Sequence, residues 1–426
     1  MRLKLEDNCT FINGGSWTAN EYADSGYPVL KVSNFDKASI SYNELSYLQE
    51  SSFGKYKKNE LKLHDIVIAT VGSHPSLINS AAGRCITVPK DAVGLLLNQN
   101  ALCLRSNNLD FIDQRYLGYL CKSQLFQHFI QQRGKGAANQ MRIPIGGIKS
   151  FEIDFPEIET QRKIASILSG YDDLIENNLK RIKLLEEQAQ QTYEEWFVRF
   201  KFPGYEDVDI DAVSGLPVGW DLKKLNEVSK INSKSLKKDF KGKIKYIDIA
   251  SVSIGKIDST TTYGFSEAPG RAKRIVQHGD IIWSCVRPNR KSHSVIWNPE
   301  DNLIASTGFC VISPKSLPTS YLLKYLTTDS FVAYLTNLAG GAAYPAVKAI
   351  DFKDADVVVP SKNLLDKFDN KFRKVLEVSN NLQNQNQHLK EARDILLPRL
   401  MSGMIDLNSL EVNEGLGMVA EDNEKY

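Results

Sequence analysis

One succession of motifs occurs twice along the chain, and this repeat constrains the fold more than any other feature. Each copy has a Lys-Leu opening, an Asp-Ile segment, a Tyr-Leu helix, a Gly-Ala-Ala loop and a proline before a long helix. The paired segments are 4–5 with 224–225, 64–68 with 278–282, 116–120 with 321–325, 136–138 with 341–343, and Pro156 with Pro360. Five matches in the same order indicate a duplication. The chain must therefore fold as two similar domains.

Each copy has the pattern of a mixed domain. Short apolar and β-branched runs come first, broken by Gly, Asn, Pro and Ser, which is typical of strands. A helix, a Gly/Ala-rich loop and a last strand follow. The predicted strands include 65–71, 84–88 and 281–286, and the predicted helices are 113–131 and 319–338. Strands followed by helices predict the α+β class, with two pseudo-repeat domains and two long helices.

The two long helices carry the clearest periodic signal. Their core positions alternate in steps of four and three, which is typical of an antiparallel or parallel coiled coil. The first stripe is Ile164, Leu168, Tyr171, Ile175, Asn178, Ile182, Leu185, Ala189, Thr192 and Trp196; the second is Phe368, Phe372, Val375, Ser379, Leu382, Asn386, Leu389, Arg393 and Leu396. The alternative is an amphipathic helix lying on a globular core.

The stripes also predict a register if the helices run antiparallel. Placing Asn178 against Asn386 aligns every a position of one helix with a d position of the other. The remaining layers are then Ile175 with Leu389, Ile182 with Leu382, Leu185 with Ser379, Ala189 with Val375, Thr192 with Phe372, and Trp196 with Phe368. A buried polar layer of this kind lowers stability but specifies register.

Charge is unevenly distributed although the net charge is only +2. Residues 221–245 contain nine lysines and three acids, whereas 403–426 contain six acids and one lysine. A lysine-rich segment is either a solvated face or a surface that binds nucleic-acid phosphates. Charge alone does not distinguish the two.

Composition points to a soluble cytoplasmic protein. Hydrophobic residues make up 42% and charged residues 24%, a normal globular mixture. No apolar run approaches the roughly 18 residues of a membrane-spanning helix, and the first residues lack a signal-peptide core. The six cysteines are scattered without a C-x-x-C pair, so we expect reduced thiols rather than disulfides or a zinc site.

The motifs of common catalytic sites are missing from the sequence. We find no phosphate-binding glycine loop, no G-x-G-x-x-G turn and no H-E-x-x-H. The segment 298–301 resembles the Asn/Asp-Pro-Pro-aromatic motif of amino-methyltransferases but lacks its second proline and its aromatic residue. Residues 351–353 have the D-x-K spacing of nucleases without a convincing upstream carboxylate. We therefore expect no catalytic residue, no metal and no cofactor in this chain.

Polar loops at equivalent places in both copies suggest binding instead. The Gly-rich loops are 133–142 and 340–348, and a second polar stretch follows the Asp-Ile segment at 70–74 and 287–291. Glycines allow close approach of a partner, and Asn, Gln, Arg and Lys can contact base edges or phosphates. The candidate DNA-binding residues are Thr70, Ser73, His74, Lys135, Asn139, Gln140, Arg142, Arg287, Asn289, Arg290, Lys291, Tyr344 and Lys348. The alternative is that these are ordinary solvent-exposed loops.

Several segments resemble one family, the specificity subunits of type I restriction–modification systems. The resemblance covers nearly the whole chain. It is strongest in Pro-x-x-x-x-Gln-Arg-Lys-Ile at 156–164 and in Leu-Leu-Pro-Arg-Leu-Met-Ser-Gly at 396–403, and it includes 4–15, 193–197 and 215–220. The second copy departs from the pattern at 364–368, where the usual glutamine at the helix start is absent.

The resemblance implies two target-recognition domains that each read half of a bipartite DNA site. It divides the chain into a first recognition domain at 1–156, a spacer helix at 157–200, a linker and second recognition domain at 201–360, a second spacer helix at 361–402, and an acidic tail at 403–426. Two modification subunits would dock on the helices and supply S-adenosylmethionine, and restriction subunits would supply ATP- and Mg²⁺-dependent cleavage. The rival hypotheses are a self-contained DNA methyltransferase or nuclease, and a coiled-coil scaffold that does not bind DNA.

Overall fold

A computed structural model describes residues 2–35, 40–42, 45–73, 81–137, 140–237, 239–341 and 344–407. The chain divides into two compact units. Unit 1 contains the residues up to Glu176 together with those from Asn386 onward, and unit 2 is Asn177–Gln385. Both long helices contribute to both units, because each unit boundary falls inside one of them.

Unit 1 consists of short strands followed by helices, as the sequence pattern predicts. Its strands are β1 Arg2–Lys4, β2 Cys9–Asn13, β3 Tyr22–Ala23, β4 Tyr27–Leu30, β5 Ser46–Leu48, β6 Ile66–Ala69, β7 Val71–Gly72, β8 Cys85–Thr87, β9 Leu96–Leu97, β10 Ala101–Ser106, β11 Lys135–Ala137, β12 Gln140–Arg142 and β13 Glu152–Asp154. Its helices are α1 Leu5–Asn8, α2 Phe53–Tyr56, α3 Gln114–Lys122, α4 Gln124–Gln131, α5 Ile145–Lys149 and the first part of α6 Ile158–Tyr193.

Unit 2 repeats this succession. Its strands are β14 Asp221–Lys224, β15 Ser229–Ile231, β16 Lys243–Ile247, β17 Val252–Ser253, β18 Lys256–Ile257, β19 Thr261–Gly264, β20 Ala272–Ile275, β21 Ile281–Ser284, β22 His293–Val295, β23 Leu303–Ser306, β24 Phe309–Pro314 and β25 Asp356–Val359. Its helices are α7 Leu225–Val228, α8 Thr319–Leu326, α9 Asp329–Leu338, α10 Ala349–Lys353 and most of α11 Lys362–Met401.

The sheet topology confirms the duplication. Unit 1 has an antiparallel sheet of order β2-β10-β6-β8, and unit 2 has its counterpart of order β15-β24-β21-β22. Each unit has a second four-stranded sheet with one parallel pair, β4 with β9 and β16 with β23. Each also pairs its first strand with the strand that precedes a long helix, β1 with β13 and β14 with β25. The α+β prediction is therefore confirmed.

The helix predicted over 113–131 is two helices, and the same break occurs in unit 2. Ser123 has an extended backbone and its hydroxyl accepts the Phe126 N–H, so it ends α3 and begins α4. At the equivalent place Thr328 accepts the Phe331 N–H at the start of α9. In each unit a side-chain hydroxyl satisfies a free N–H group at the start of the new helix. The helix therefore restarts after the break, and the apolar pattern of the sequence gives no sign of it.

One core in each unit joins the sheet to the helices. In unit 1, Leu102 and Leu104 of β10 pack with Leu117, Phe126 and residues at opposite ends of the two long helices. In unit 2, Trp283, Tyr321 and Phe368 occupy the corresponding core. The burial of apolar side chains, the main favourable term in folding, thus holds each of these sheets on the long helices.

Gln161 explains the glutamine in the Pro-x-x-x-x-Gln motif. Its amide is fully buried; Oε1 accepts the Asp113 N–H at 3.1 Å, and Nε2 donates to the carbonyls of Phe111 and Pro156. Since Asp113 caps α3, this amide joins the starts of α3 and α6. Leu365 occupies the equivalent position in the second copy. It is also buried, but a leucine side chain cannot form these hydrogen bonds.

The long helices run antiparallel within each unit. In unit 2 the Trp196 and Phe368 ring centroids are 6.0 Å apart, and Asn178 Nδ2 lies 3.5 Å from Gln385 Oε1. In unit 1 the Asp172 carboxylate binds Arg393 at 2.5 Å. The stripe positions Ile175, Asn178, Ile182, Leu382 and Asn386 are buried, whereas Tyr171, Leu185 and Leu389 are half-buried.

The stripe changes at the end of α6. Tyr193 and Phe197 are buried there, and the predicted core residues Thr192 and Trp196 are half-buried. The rings of Tyr193 and Phe197 pack 5.1 and 4.9 Å from the Tyr321 ring in the unit 2 core. A π-helical turn follows at Glu194–Val198. Packing on the domain therefore overrides the coiled-coil spacing at this end.

Candidate nucleic-acid interface

In unit 1 the two predicted polar loops form one small sheet. The chain leaves the buried strand β6, passes Thr70 and enters β7, which pairs with β12 of the Gly-rich hairpin. The sheet order is β11-β12-β7, with Lys135 opposite Arg142 and Arg142 opposite Val71. The Ile143 N–H also donates to the Thr70 carbonyl at 2.8 Å. Segments about 65 residues apart in sequence thus share one surface.

Glycines permit this close assembly. A Cβ on Gly72 would lie 2.4 Å from the backbone nitrogen of Ala82, and one on Gly134 would lie 1.5 Å from Met141 Cε. A side chain at position 72 would therefore require the neighbouring backbone to move, whereas one at position 134 would require the Met141 side chain to move. The Gly-rich composition of the loop serves its own packing here.

Two cations face each other across the hairpin of unit 1. Lys135 and Arg142 are directly opposite in the register, and both are exposed. In the described part of the chain neither has a carboxylate within 4.0 Å. Like charges at directly opposed positions destabilise a strand pair unless an anion neutralises them. This arrangement favours an anionic ligand such as a phosphate.

Unit 2 brings its two polar loops together in the same way. The Val347 N–H donates to the Cys285 carbonyl at 2.9 Å, which corresponds to the bond between Ile143 and Thr70. The Arg287 N–H donates to the Pro345 carbonyl at 2.7 Å. Val286 and Ala346 form a β-bridge. In both copies, the segment that follows the buried strand β6 or β21 is therefore hydrogen-bonded to the Gly-rich loop.

Two of the candidate residues of unit 2, Arg287 and Tyr344, are in contact with each other. The Arg287 guanidinium lies 4.7 Å from the centre of the Tyr344 ring, and Tyr344 is 69% exposed. Arg287 and Lys291 both have left-handed backbones, with φ of 51° and 53°. Non-glycine residues adopt this region rarely, and such strain is typical of functional sites. The planar guanidinium is thus held in place before any ligand arrives.

The other candidate residues have varied environments. Lys348, Asn289 and Arg290 are exposed, and Ser73 is half-buried. Lys291 is held by an ion pair with Asp329 at 2.7 Å. Thr70 is only 8% exposed, so its place is beneath the small sheet rather than on its surface. His74, Asn139 and the side chain of Gln140 lie outside the described residues.

Ion pairs occupy part of the lysine-rich segment 221–245. Lys223 pairs with Asp221, Lys224 with Asp356 and Lys245 with Glu300. These lysines belong to a solvated, partly neutralised face, which is the plainer of the two interpretations. Two others, Lys230 and Lys234, line a cavity in unit 2.

The D-x-K sequence, which has the spacing of a nuclease motif, has a structural role. Asp351 of the D-x-K sequence accepts the Lys348 N–H at 2.6 Å at the start of α10.

Burial lowers the pKa of His293 to about 4, which keeps its ring neutral. All six cysteines are free thiols, and burial raises the pKa of Cys85 to about 12, so it is a poor nucleophile.

The described residues contain no group of three or more His, Cys, Asp and Glu side chains arranged to hold a metal ion. They also contain no helix with the length and apolar content needed to cross a lipid bilayer.

Comparison with known proteins identifies the family. Residues 1–187 and 217–387 match the type I restriction modification DNA specificity domain. The chain is 26% identical over 314 residues to the type I restriction enzyme MjaIX specificity subunit of Methanocaldococcus jannaschii, covering 71% of each. It is 23% identical over 403 residues to the HindI specificity subunit of Haemophilus influenzae, covering 78% of this chain and 85% of that one.

A solved structure has the same fold. The crystal structure of the type I restriction–modification S subunit from M. genitalium aligns with a TM-score of 0.54 and 18% identity, covering 94% of this chain and 95% of that one. The matched domain occurs twice and spans most of the sequence, in agreement with the duplicated sheets. This chain therefore belongs to the family of type I restriction–modification DNA specificity subunits.

Proposed function

We propose that this chain reads DNA for a type I restriction–modification complex and that each unit reads one half of a bipartite site. The observation that carries the proposal is the joining of two polar loops into one surface at the same place in both units. A pair of opposed cations marks this surface in unit 1, and a guanidinium stacked on a tyrosine marks it in unit 2. Cations of this kind bind phosphates and guanine edges.

The catalytic work would belong to partner subunits in the cytoplasm. Two modification subunits would dock on the long helices, bind S-adenosylmethionine and methylate adenine, and restriction subunits would use ATP and Mg²⁺ to translocate and cleave DNA. The helices would serve as spacer and docking frame. Support comes from family membership and from the structural role of Asp351 in the D-x-K sequence. Mapping methylated adenines across the genome with and without this gene tests the proposal, since a scaffold or a nuclease would leave the methylated sequence unchanged. A self-contained methyltransferase would differ in methylating DNA without the modification subunits.

The opposed cations of unit 1 should bind phosphates rather than bases. Replacing Lys135 or Arg142 by alanine should weaken binding to all DNA sequences alike and reduce the slope of log K against log salt by about 0.9 per lost contact. Filter binding across a salt series, with the modification subunits present, measures both. Lys62→Ala is the control, because Lys62 is exposed near the opposite end of β6. Equal effects of all three substitutions would contradict the assignment.

Arg287 should instead contribute to sequence preference. Losing a bidentate contact with a base edge costs about 1–3 kcal/mol and relaxes one position of the site. Arg287→Ala should therefore broaden the methylated sequence at one base pair. Tyr344→Phe keeps the ring beneath the guanidinium and should preserve specificity, whereas Tyr344→Ala should reduce it. Unchanged specificity in both alanine variants would remove this pair from the reading surface.

A further inference from the structure

The duplication allows each side chain of unit 1 to be compared with its counterpart in unit 2. Asp65, which directly precedes β6 in unit 1, corresponds to Asp280, which directly precedes β21 in unit 2. On the neighbouring strand, Arg105 corresponds to Ser313. The two units thus keep a carboxylate at one position and differ in the side chain that faces it.

In unit 1 the carboxylate holds an arginine. Arg105 Nε lies 2.6 Å from Asp65 Oδ1, and Arg105 Nη2 lies 2.6 Å from Oδ2. The Asp65 side chain is 3% exposed, and its Oδ2 also accepts the Lys62 N–H at 2.7 Å. Two parallel bonds of this kind form the strongest arrangement of a guanidinium with a carboxylate.

In unit 2 the carboxylate has the same support but no arginine. Asp280 is 3% exposed, and its Oδ2 accepts the Gln277 N–H at 2.8 Å, as Asp65 accepts that of Lys62. Burial raises the pKa of Asp280, and Ser313 and Lys234 partly oppose that shift. Across the described ranges, no cationic nitrogen lies within 4.0 Å of this carboxylate. A buried carboxylate charge without a cation beside it is costly.

A second replacement enlarges the space beside Asp280. In unit 1, Gln114 Nε2 donates to the His64 carbonyl at 2.9 Å; in unit 2, Thr319 Oγ1 makes the equivalent bond to the Gly279 carbonyl at 2.9 Å. The bond is the same, but the side chain is smaller. Where unit 1 has two long side chains, unit 2 has a cavity of about 620 Å³, lined in part by Asp280, Ser313 and Thr319.

We propose that this cavity is a binding site for a guanidinium group, with Asp280 as its acceptor. The group would come from a small free cation or from an arginine side chain of a partner protein. Its two N–H groups would take the places that Arg105 occupies in unit 1. Trp297 also lines the cavity, and an indole ring attracts cations. The site is distinct from the DNA-reading loops and does not depend on their function.

The cations that line the cavity belong to exposed side chains. They are Lys230, Lys234 and Arg373, and Arg373 is 4.0 Å from Asp369. Their charges are screened by solvent, whereas Asp280 is a carboxylate removed from water. An anion would meet repulsion from Asp280, and a cation meets it only from the screened side chains. A guanidinium therefore suits the space beside Asp280 better than a phosphate does.

The test uses the full chain and agmatine as the probe, with 1,5-diaminopentane at equal ionic strength as a dication of similar length that lacks a guanidinium. We expect agmatine to bind in titration calorimetry and to raise the Tm saturably, and the diamine to bind at least about tenfold more weakly. Asp280→Asn should abolish agmatine binding, and Lys234→Ala should strengthen it by removing the nearest opposing charge. A peptide with one internal arginine distinguishes the two sources. Tighter binding of the peptide indicates an arginine of a partner protein, and tighter binding of agmatine indicates a small free cation.

Ser313→Arg is the matching variant, because it restores the side chain found in unit 1. It should raise the Tm without ligand and eliminate agmatine binding; if it does not fold, Asp280→Asn alone decides. Equal binding of agmatine to the native chain and to Asp280→Asn would overturn the proposal. So would the absence of any agmatine binding, or a larger Tm rise with inorganic phosphate than with agmatine.

Discussion

Replacing residues 1–156 by the equivalent region of another specificity subunit is expected to change one half of the methylated sequence and leave the other half intact. Both polar loops of unit 1 lie within this range, as do β1 and its partner β13. The exchange point falls between β13, which ends at Asp154, and α6, which begins at Ile158. No sheet of unit 1 is therefore divided by the exchange.

The donor region must have apolar residues that pack against the long helices of this chain. Ile164, Leu168 and Leu400 of these helices belong to the unit 1 core. A donor that does not fit them would unfold the domain and would not change its sequence preference. Mapping methylated adenines in cells that express the hybrid measures the outcome. The reciprocal exchange of 201–360 should change only the other half. A change in both halves from either exchange would show that the units do not read DNA independently.

Arg105→Ala is expected to have the largest effect on stability, a loss of about 3–5 kcal/mol in unit 1. The substitution leaves the Asp65 carboxylate buried at 3% exposure with its bidentate partner removed. Because the two units need not unfold together, hydrogen exchange of the β6 and β10 amides is the appropriate measurement.

Arg162→Ala provides the matched control. Arg162 pairs with Glu159 at 2.7 Å, but the two side chains are 49% and 73% exposed. Exposed pairs contribute at most about 1 kcal/mol, so this variant should change little. Removing both Asp65 and Arg105 should restore much of the loss, because no buried charge then remains unpaired. If Arg105→Ala behaves like Arg162→Ala, the buried pair does not stabilise unit 1.

Some features could be predicted from the sequence because their signals are local or repeated. The duplication and the 4–3 stripes of the long helices are visible as spacings along the chain. The loops 133–142 and 70–74 were suggested by their composition. The single helix predicted over 113–131 was wrong, since one serine hydroxyl both ends α3 and begins α4 without interrupting the apolar pattern.

The residues alone thus determined the two domains, their mixed class and the two long helices. Only the tertiary structure decided which side chains meet. Lys135 and Arg142 oppose each other through a hairpin register, and Arg105 reaches Asp65 across 40 residues of sequence. In unit 2 the same positions leave Asp280 beside a cavity. Periodicity specifies the face on which a residue lies, but cross-strand register specifies its neighbour, and register is a property of the folded sheet.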